Sequence, residues 1–437
     1  MWKKEMNIWS YLERRHALKT ILMAALLIRL LFVCLLNPDR YYFSDARHYD
    51  GAAKSLLNGQ GFGEKYHRAP LYPLVIAAVY SGFGCSFLSM RLFEAVLGVL
   101  LCWTIYRLAA DLYGERTARW AALLAALFPH FILIAGILYP THLYALLLTL
   151  SAYFLVQGDR RGKKWYLAAS GALAGLAMLT VASFFFIAPF WMLWLLWTKG
   201  KPRWAALLVF AGVMALVIAP WTVRNYIHYG RVTLSQPLPH TALPNLQDRA
   251  AQEQEVASGF QSTVRHYKDH PTGTHEDGLL NTLRHYLLHP TATVQHMARE
   301  LGHFWALYPD RLDIVQYSYR AHLHAKDSRM EINGNFWKWV KWPSILIMTP
   351  IFLLALYGAL LAYRLDRRIT WLWLLTFFSL GVGYSMIYSE VRYRIPLEPL
   401  ILIWSALGVT KLLQHAQHAD AEEAGSAALS QQAKEFN

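Results

Sequence analysis

Residues 165–198 read WYLAASGALAGLAMLTVASFFFIAPFWMLWLLWT, a run of 34 positions without one charged side chain. A helix that crosses the hydrocarbon core of a bilayer needs about 20 apolar residues, within a range of about 17–25. The run is too long for one comfortable span and suits a hairpin of two short helices turning near Thr180–Ser183. Other apolar runs flank it at 18–36, 88–110, 118–138, 142–157, 203–220, 342–363, 369–388 and 395–413. Residues 70–84 are apolar but short. The chain therefore reads as an all-α, polytopic integral membrane bundle of about ten spanning helices.

Composition agrees. Of 437 residues 55% are hydrophobic and 16% charged, against about 25% charged in soluble domains, which excludes a single water-soluble globule. The aromatic and aliphatic content excludes disorder. Three cysteines, Cys34, Cys85 and Cys102, are too few for a disulfide scaffold.

The net charge of +14 has a pattern. Basic clusters at 1–19, 107–119, 158–164 (GDRRGKK), 199–203 (KGKPR) and 364–368 (RLDRR) carry most of it. Lys and Arg beside helix ends mark the cytoplasmic side. All five clusters share that side only if 165–198 is a hairpin and 70–84 does not fully cross. The expected order is a cytoplasmic N-terminus (1–19), a first helix (20–36) retained as an uncleaved anchor, a first outer loop (37–69), a membrane bundle (70–220), an outer helical region (221–341), C-terminal membrane helices (342–413) and a disordered cytoplasmic tail (414–437). Both termini face the cytoplasm, the membrane is the inner one, and the outer segments face the periplasm. Within 221–341 helical patterns are expected at 245–256, 277–288 and 290–308, the last opened by Pro290.

The polar motifs fall on the outer side. Loop one contains Ser44-Asp45-Ala-Arg-His-Tyr49 and continues to Gly59 and Gly61. Ser44 can cap a helix over 45–58, which places Asp45 and Tyr49 on one face. Asp45 in the first turn reads either as a helix-start residue favoured by the dipole or as an ionised base for an attacking hydroxyl. In Arg68-Ala-Pro70-Leu-Tyr72-Pro73 the prolines demand a bent segment. Tyr72 is an interfacial anchor there, and Arg68 fits a phosphate or a lipid headgroup equally. Further along come Pro220-Trp-Thr-Val-Arg224-Asn225-Tyr226 and Ser389-Glu-Val-Arg392-Tyr393-Arg394-Ile-Pro396. Arginines packed at a membrane boundary suit bidentate phosphate recognition, or they snorkel.

Other chemistries find little support. His285 and His289, His322 and His324, and His296 and His303 lack a metal-ligand pattern, so no metal site is assigned, and a divalent metal is unsupported. No GxSxG or phosphate-cradling glycine loop occurs. The basic residues are scattered over turns rather than along one groove, which argues against nucleic acid.

Taken together, SDARHYDGAAKSLLNGQGF, RAPLYPLVIAAVY, ERTARWAALLAALFPHFILIAGILYPTHLYALLLTL, PWTVRNY and RYRIPLEPLILI resemble, in order, the GT-C glycosyltransferases of the PMT-2 type, which include protein O-mannosyltransferases and the aminoarabinose transferase. The resemblance implies an active site under loop one and a sugar donor on a polyprenyl phosphate. It implies an acceptor hydroxyl or phosphate on lipid, polysaccharide or protein, and Asp45 as the base of an inverting transfer. Arg392, Arg394, Tyr393 and Arg68 would hold the donor phosphate. Tyr49, Tyr72, Thr141, His142, Arg224 and Asn225 would line the substrate site. Thr141 stands where the family often has an acid. Two other readings are a transporter or flippase of lipid-linked sugars, and an O-antigen-ligase-like enzyme. Against the first, the charges cluster at one face rather than mid-bilayer. Against the second stands the loop-one aspartate segment.

Overall fold

The structure, a computed structural model, describes residues 16–36, 40–41, 44–62, 68–197, 204–230, 232–235, 286–288, 290–309, 317–318 and 334–435. The expected helix at 245–256, most of that at 277–288, and His285, His289, His322 and His324 lie outside these residues.

The described chain is helical. Helix α1 (Ala17–Leu35) leads through a two-residue strand (Arg40–Tyr41) to α2 (Ser44–Leu57). Then follow α3 (Leu71–Phe83), α4 (Phe87–Tyr113), α5 (Glu115–Leu127), α6 (Pro129–Leu133), α7 (Thr141–Arg161), α8 (Lys164–Thr180), α9 (Phe184–Leu196) and α10 (Trp204–Tyr229). The last group is α11 (Pro290–Phe304), α12 (Gly334–Leu365), α13 (Arg367–Ser385), α14 (Val391–Arg394) and α15 (Glu398–Glu435). The strand pairs antiparallel with Tyr317–Ser318, Arg40 opposite Ser318.

Among the described residues, five helical stretches are long and apolar enough to cross a membrane: Ala17–Leu35, Phe87–Tyr113, Trp204–His228, Val340–Leu365 and Val391–Gln417. A sixth arises if the pair Glu115–Leu127 and Pro129–Gly136, bent by 53°, counts as one span. The molecule is a multi-pass membrane bundle. The 165–198 run is divided as its length demands, into α8 and α9, with the break at Val181–Ser183 closed by Phe184 N donating to Val181 O at 3.3 Å. Helix α3 has 13 residues, about 20 Å at 1.5 Å per residue, which is short of a bilayer core of about 30 Å.

Close backbone approach joins several helices, as expected where lipid offers no hydrophobic contrast and small residues set the packing distance. A Cβ on Gly171 of α8 would overlap the Phe210 carbonyl of α10, and one on Gly358 of α12 would overlap the Trp404 carbonyl of α15. Indole N–H groups tie α9 to α13: Trp191 donates to Thr376 at 2.8 Å and Trp194 to the Arg368 carbonyl at 2.7 Å.

One end of the bundle gathers three basic clusters. Arg160 pairs with Asp366 at 3.3 Å and donates to the Asp111 carbonyl, while Arg368 pairs with Asp159 at 3.0 Å and donates to the Trp197 carbonyl. Helix α15 continues through Glu435, because its Ala, Glu, Gln and Lys residues are good helix formers and no proline stops it.

Candidate active site

Asp45 stands in the first turn of α2. The helix ends where Gly59 takes φ +74°, a left-handed conformation that glycine adopts without strain. Four residues after Asp45, Tyr49 shares its face, and both turn toward the segment 68–72. Asp50 anchors the helix from below. It accepts from the Tyr80 hydroxyl of α3 at 2.7 Å and pairs with Lys54 at 2.7 Å.

The Asp45 carboxylate receives three donors. Arg68 grips it with both terminal nitrogens, Nη2 to Oδ1 at 2.7 Å and Nη1 to Oδ2 at 3.3 Å. The Tyr139 hydroxyl donates to Oδ2 at 3.3 Å. The guanidinium lies 5.3 Å from the centre of the Tyr49 ring, and Tyr49 meets Tyr72 and Tyr139 edge-on at 5.2 and 6.1 Å. Burial pushes the Tyr49 phenol up, and pushes the Tyr139 phenol well up against the opposing pull of Arg392. Both stay protonated donors at neutral pH. The His48 imidazole is lowered, by burial first and then by the Arg68 charge.

The corner between α13 and α15 brings in Arg392. Its guanidinium lies 5.5 Å from the Tyr139 ring centre and 5.1 Å from that of Tyr393, and pairs with Glu390 at 2.6 Å. Tyr393 stacks flat on Tyr384 at 4.3 Å. Tyr139 thus touches both Asp45 and Arg392, and two cations and two carboxylates, Asp45 and Glu390, share an aromatic cluster that remains partly open to solvent. The side chains of Arg68, Asp45 and Arg392 are 27%, 20% and 22% exposed.

The remaining expected site residues are placed differently. Arg394 is fully buried. It donates to Glu398 at 3.4 Å and to the carbonyls of Phe304 and Ala306 at 3.1 and 2.8 Å, and Glu398 also meets His130 Nδ1 at 2.8 Å. That arginine ties α11 to α15, with its nitrogens engaged inside the protein. The Tyr72 hydroxyl is occupied by Glu94 at 2.7 Å. His142 is fully buried between Glu94, at 3.1 Å, and the Phe131 carbonyl, at 3.1 Å. Thr141 opens α7 and is buried. Arg224 and Asn225 form a separate group at the end of α10. Arg224 lies 4.7 Å from Trp221 and 5.9 Å from Phe62, and Asn225 donates to the Thr233 carbonyl at 2.7 Å.

Tyr139, Glu94, Glu390 and Glu398 were missed by the sequence reading. Tyr139 lay in a quoted motif directly before Pro140, but nothing local said that it faces Asp45. Among the described residues, no group of three or more His, Cys, Asp or Glu could hold a metal ion.

The described bundle is similar in fold to solved oligosaccharyltransferase and ArnT structures, at low sequence identity. Residues 67–223 match the family model described as dolichyl-phosphate-mannose-protein mannosyltransferase. The apo oligosaccharyltransferase of Archaeoglobus fulgidus superposes with a TM-score of 0.58 at 17% identity, covering 94% of this chain and 52% of that one. The same organism's oligosaccharyltransferase AglB, in complex with an inhibitory peptide and a dolichol-phosphate, gives 0.57 at 16%, covering 93% and 52%. ArnT from Cupriavidus metallidurans bound to undecaprenyl phosphate gives 0.54 at 15%, covering 91% and 61%. The chain spans between half and two thirds of the length of these solved proteins. No curated protein sequence matches it.

Proposed function

We propose that the protein is a membrane glycosyltransferase that moves a sugar from a polyprenyl-phosphate donor to an acceptor on the outer face of the inner membrane. The acceptor is a hydroxyl or phosphate on lipid, polysaccharide or protein. The observation that carries this reading is Tyr139 joining Asp45 to Arg392, which sets a carboxylate and two arginines around one small region.

The chemistry fits. Asp45 takes the proton of the acceptor hydroxyl as that oxygen bonds to the anomeric carbon. The bond from that carbon to the phosphate oxygen breaks, and its electrons leave with the polyprenyl phosphate. The phosphate is stable as an anion, so no general acid is needed, unlike the two-carboxylate arrangement of a glycosidase. Arg68 and Arg392 stabilise the charge that develops on it, with the Tyr393 hydroxyl beside them. Attack opposite the phosphate inverts the anomeric centre. Two of the similar structures hold a dolichol-phosphate or undecaprenyl phosphate, which supports a lipid-phosphate donor.

The test is Asp45→Asn in cells lacking the native copy, with glycan mass spectrometry of lipids, polysaccharides and proteins. Loss of the same glycan as in the deletion strain is expected. An unchanged glycan profile in the mutant, where the deletion alters it, rejects the assignment.

A further inference from the structure

The 21 residues of α7 run from Thr141 to Arg161, about 30 Å at 1.5 Å per residue. The turn that follows Arg161 therefore lies at the far end of α7 from Tyr139 and the Asp45 cluster. Gly162 takes φ +66° and reverses the chain into α8. A Cβ on Gly158 would overlap the Leu167 side chain, so the two helices leave the turn in close contact.

The charges at this end fall into two sets. Asp111, Asp159 and Asp366 engage Gln157, Arg368 and Arg160. Arg161, Lys163 and Lys164 are exposed, and among the described residues no ion pair includes any of the three. Arg161 turns instead onto an aromatic group. Its Nη1 donates to the Tyr166 hydroxyl at 3.0 Å, and its guanidinium lies 5.5 Å from the centre of that ring. Trp165 stacks on Tyr166 at 3.7 Å, and the Phe154 ring lies 6.0 and 6.1 Å from the two. Trp165 is nevertheless 55% exposed. Phe154 and Arg161, seven apart, share one face of α7, and Phe154 stands about 10 Å deeper along the axis. Cations at the membrane boundary, with apolar rings running inward from them, repeat the order of a phospholipid's headgroup and chain.

We propose that this face binds one anionic phospholipid of the adjoining leaflet. Its phosphate meets Arg161, Lys163 and Lys164, and one acyl chain lies along Trp165 and Phe154. Three cations without a carboxylate among the described residues complement a net negative headgroup and repel the ammonium of a zwitterionic one. Arg161 spends one of its five N–H donors on Tyr166 and keeps others for a phosphate oxygen. The rings beneath favour a lipid over a free phosphate, which has no apolar part to lay on them.

The purified full-length protein in detergent is titrated with phosphatidylglycerol, with phosphatidylcholine of the same chains and with glycerol phosphate, and bound molecules are counted by native mass spectrometry. Melting curves establish that each variant is folded. Wild-type protein should hold one phosphatidylglycerol and bind phosphatidylcholine about tenfold more weakly, and glycerol phosphate should not displace the lipid. Arg161→Gln/Lys163→Gln/Lys164→Gln should lose about 100-fold in affinity, from three cations worth about fivefold each at a membrane surface. Trp165→Ala should lose about tenfold through apolar contact alone. Arg364→Gln/Arg367→Gln removes two exposed cations elsewhere at the same end and should change affinity by about twofold at most. Equal losses in the two charge variants would show attraction to the basic end as a whole. Displacement by glycerol phosphate would show an anion site without a lipid. Equal affinity for the two lipids, or wild-type affinity in Trp165→Ala, would show that the turn and its rings are no lipid site, and any of these results overturns the proposal.

Discussion

Arg29 of α1 donates from Nη2 to the carbonyl of Ala125 in α5, at 3.2 Å. The partner of that carbonyl in an unbroken helix would be residue 129, which is proline and has no N–H to give. Nη1 reaches the neighbouring Ala126 carbonyl at 3.2 Å and the Ala25 carbonyl at 2.9 Å. The buried cation thus supplies the donors missing at the bend between α5 and α6, where no water is available to do so. Gly98 makes room, since a Cβ there would lie 2.5 Å from Arg29 Nε. Arg29→Met should lower stability by about 2–5 kcal/mol, from two or more buried carbonyls left without donors. Arg29→Lys should fall between. Thermal denaturation in detergent measures both, and an Arg29→Met protein as stable as wild type would remove the capping role.

Glu94, Tyr72 and His142 form a second buried set. Tyr72 donates to Glu94, and the two imidazole nitrogens of His142 face Glu94 and the Phe131 carbonyl. The accounting closes without a net charge if Glu94 carries a proton and donates it to Nδ1, while Nε2–H serves Phe131. Glutamine can reproduce that pattern, accepting through its oxygen and donating through its amide. Glu94→Gln should therefore stay within about 1 kcal/mol of wild type, while Glu94→Ala should lose about 2–4 kcal/mol. Detergent melting curves decide; equal losses for both substitutions would show that an ionised carboxylate is required.

Two arginines one residue apart should separate cleanly. Arg392→Ala removes a half-buried cation beside Tyr139 and should weaken undecaprenyl phosphate binding by about 10–100-fold, the range for a charged hydrogen-bonding group, with a smaller fall in melting temperature than Arg394→Ala, because Arg394 is the fully buried one. Arg394→Ala removes the tie from Glu398 to the Phe304 and Ala306 carbonyls. It should instead lower the melting temperature, because it leaves Glu398 and His130 without their buried cation. Binding isotherms and melting curves on the same two proteins read the difference, and a reversed pattern would exchange their roles.

Much of this was legible in the chain and some was not, for physical reasons. Helices announce themselves through local composition, so the 165–198 run yields its own division and Pro290 its own helix. Asp45 and Arg68 stand out because charges beside a membrane are costly enough to need a purpose. Their pairing is a contact across 23 residues, and that of Tyr139 with Asp45 one across 94; no periodicity encodes such contacts. Two expected phosphate ligands of identical chemistry, Arg392 and Arg394, part company because positions i and i+2 on a helix point to nearly opposite sides. Gly171 and Gly175, four apart, both lie where α8 closely approaches α10.

The charged end of the bundle supports a proposal for its orientation. Asp111, Gln157, Asp159, Arg160, Asp366 and Arg368 interlock there, so the basic clusters at 107–119, 158–164 and 364–368 lie on one side. Lys and Arg concentrated at one boundary favour the cytoplasmic side. The Asp45 cluster would then face outward, toward acceptors beyond the membrane. A reporter inserted after Lys163, in the short turn between α7 and α8, should be active as a cytoplasmic fusion and inactive as a periplasmic one. One inserted after Gln60, just past the end of α2, should behave in the opposite way. Periplasmic activity at Lys163 would invert the bundle, move Asp45 to the cytoplasmic face and require a donor whose sugar is presented on that side.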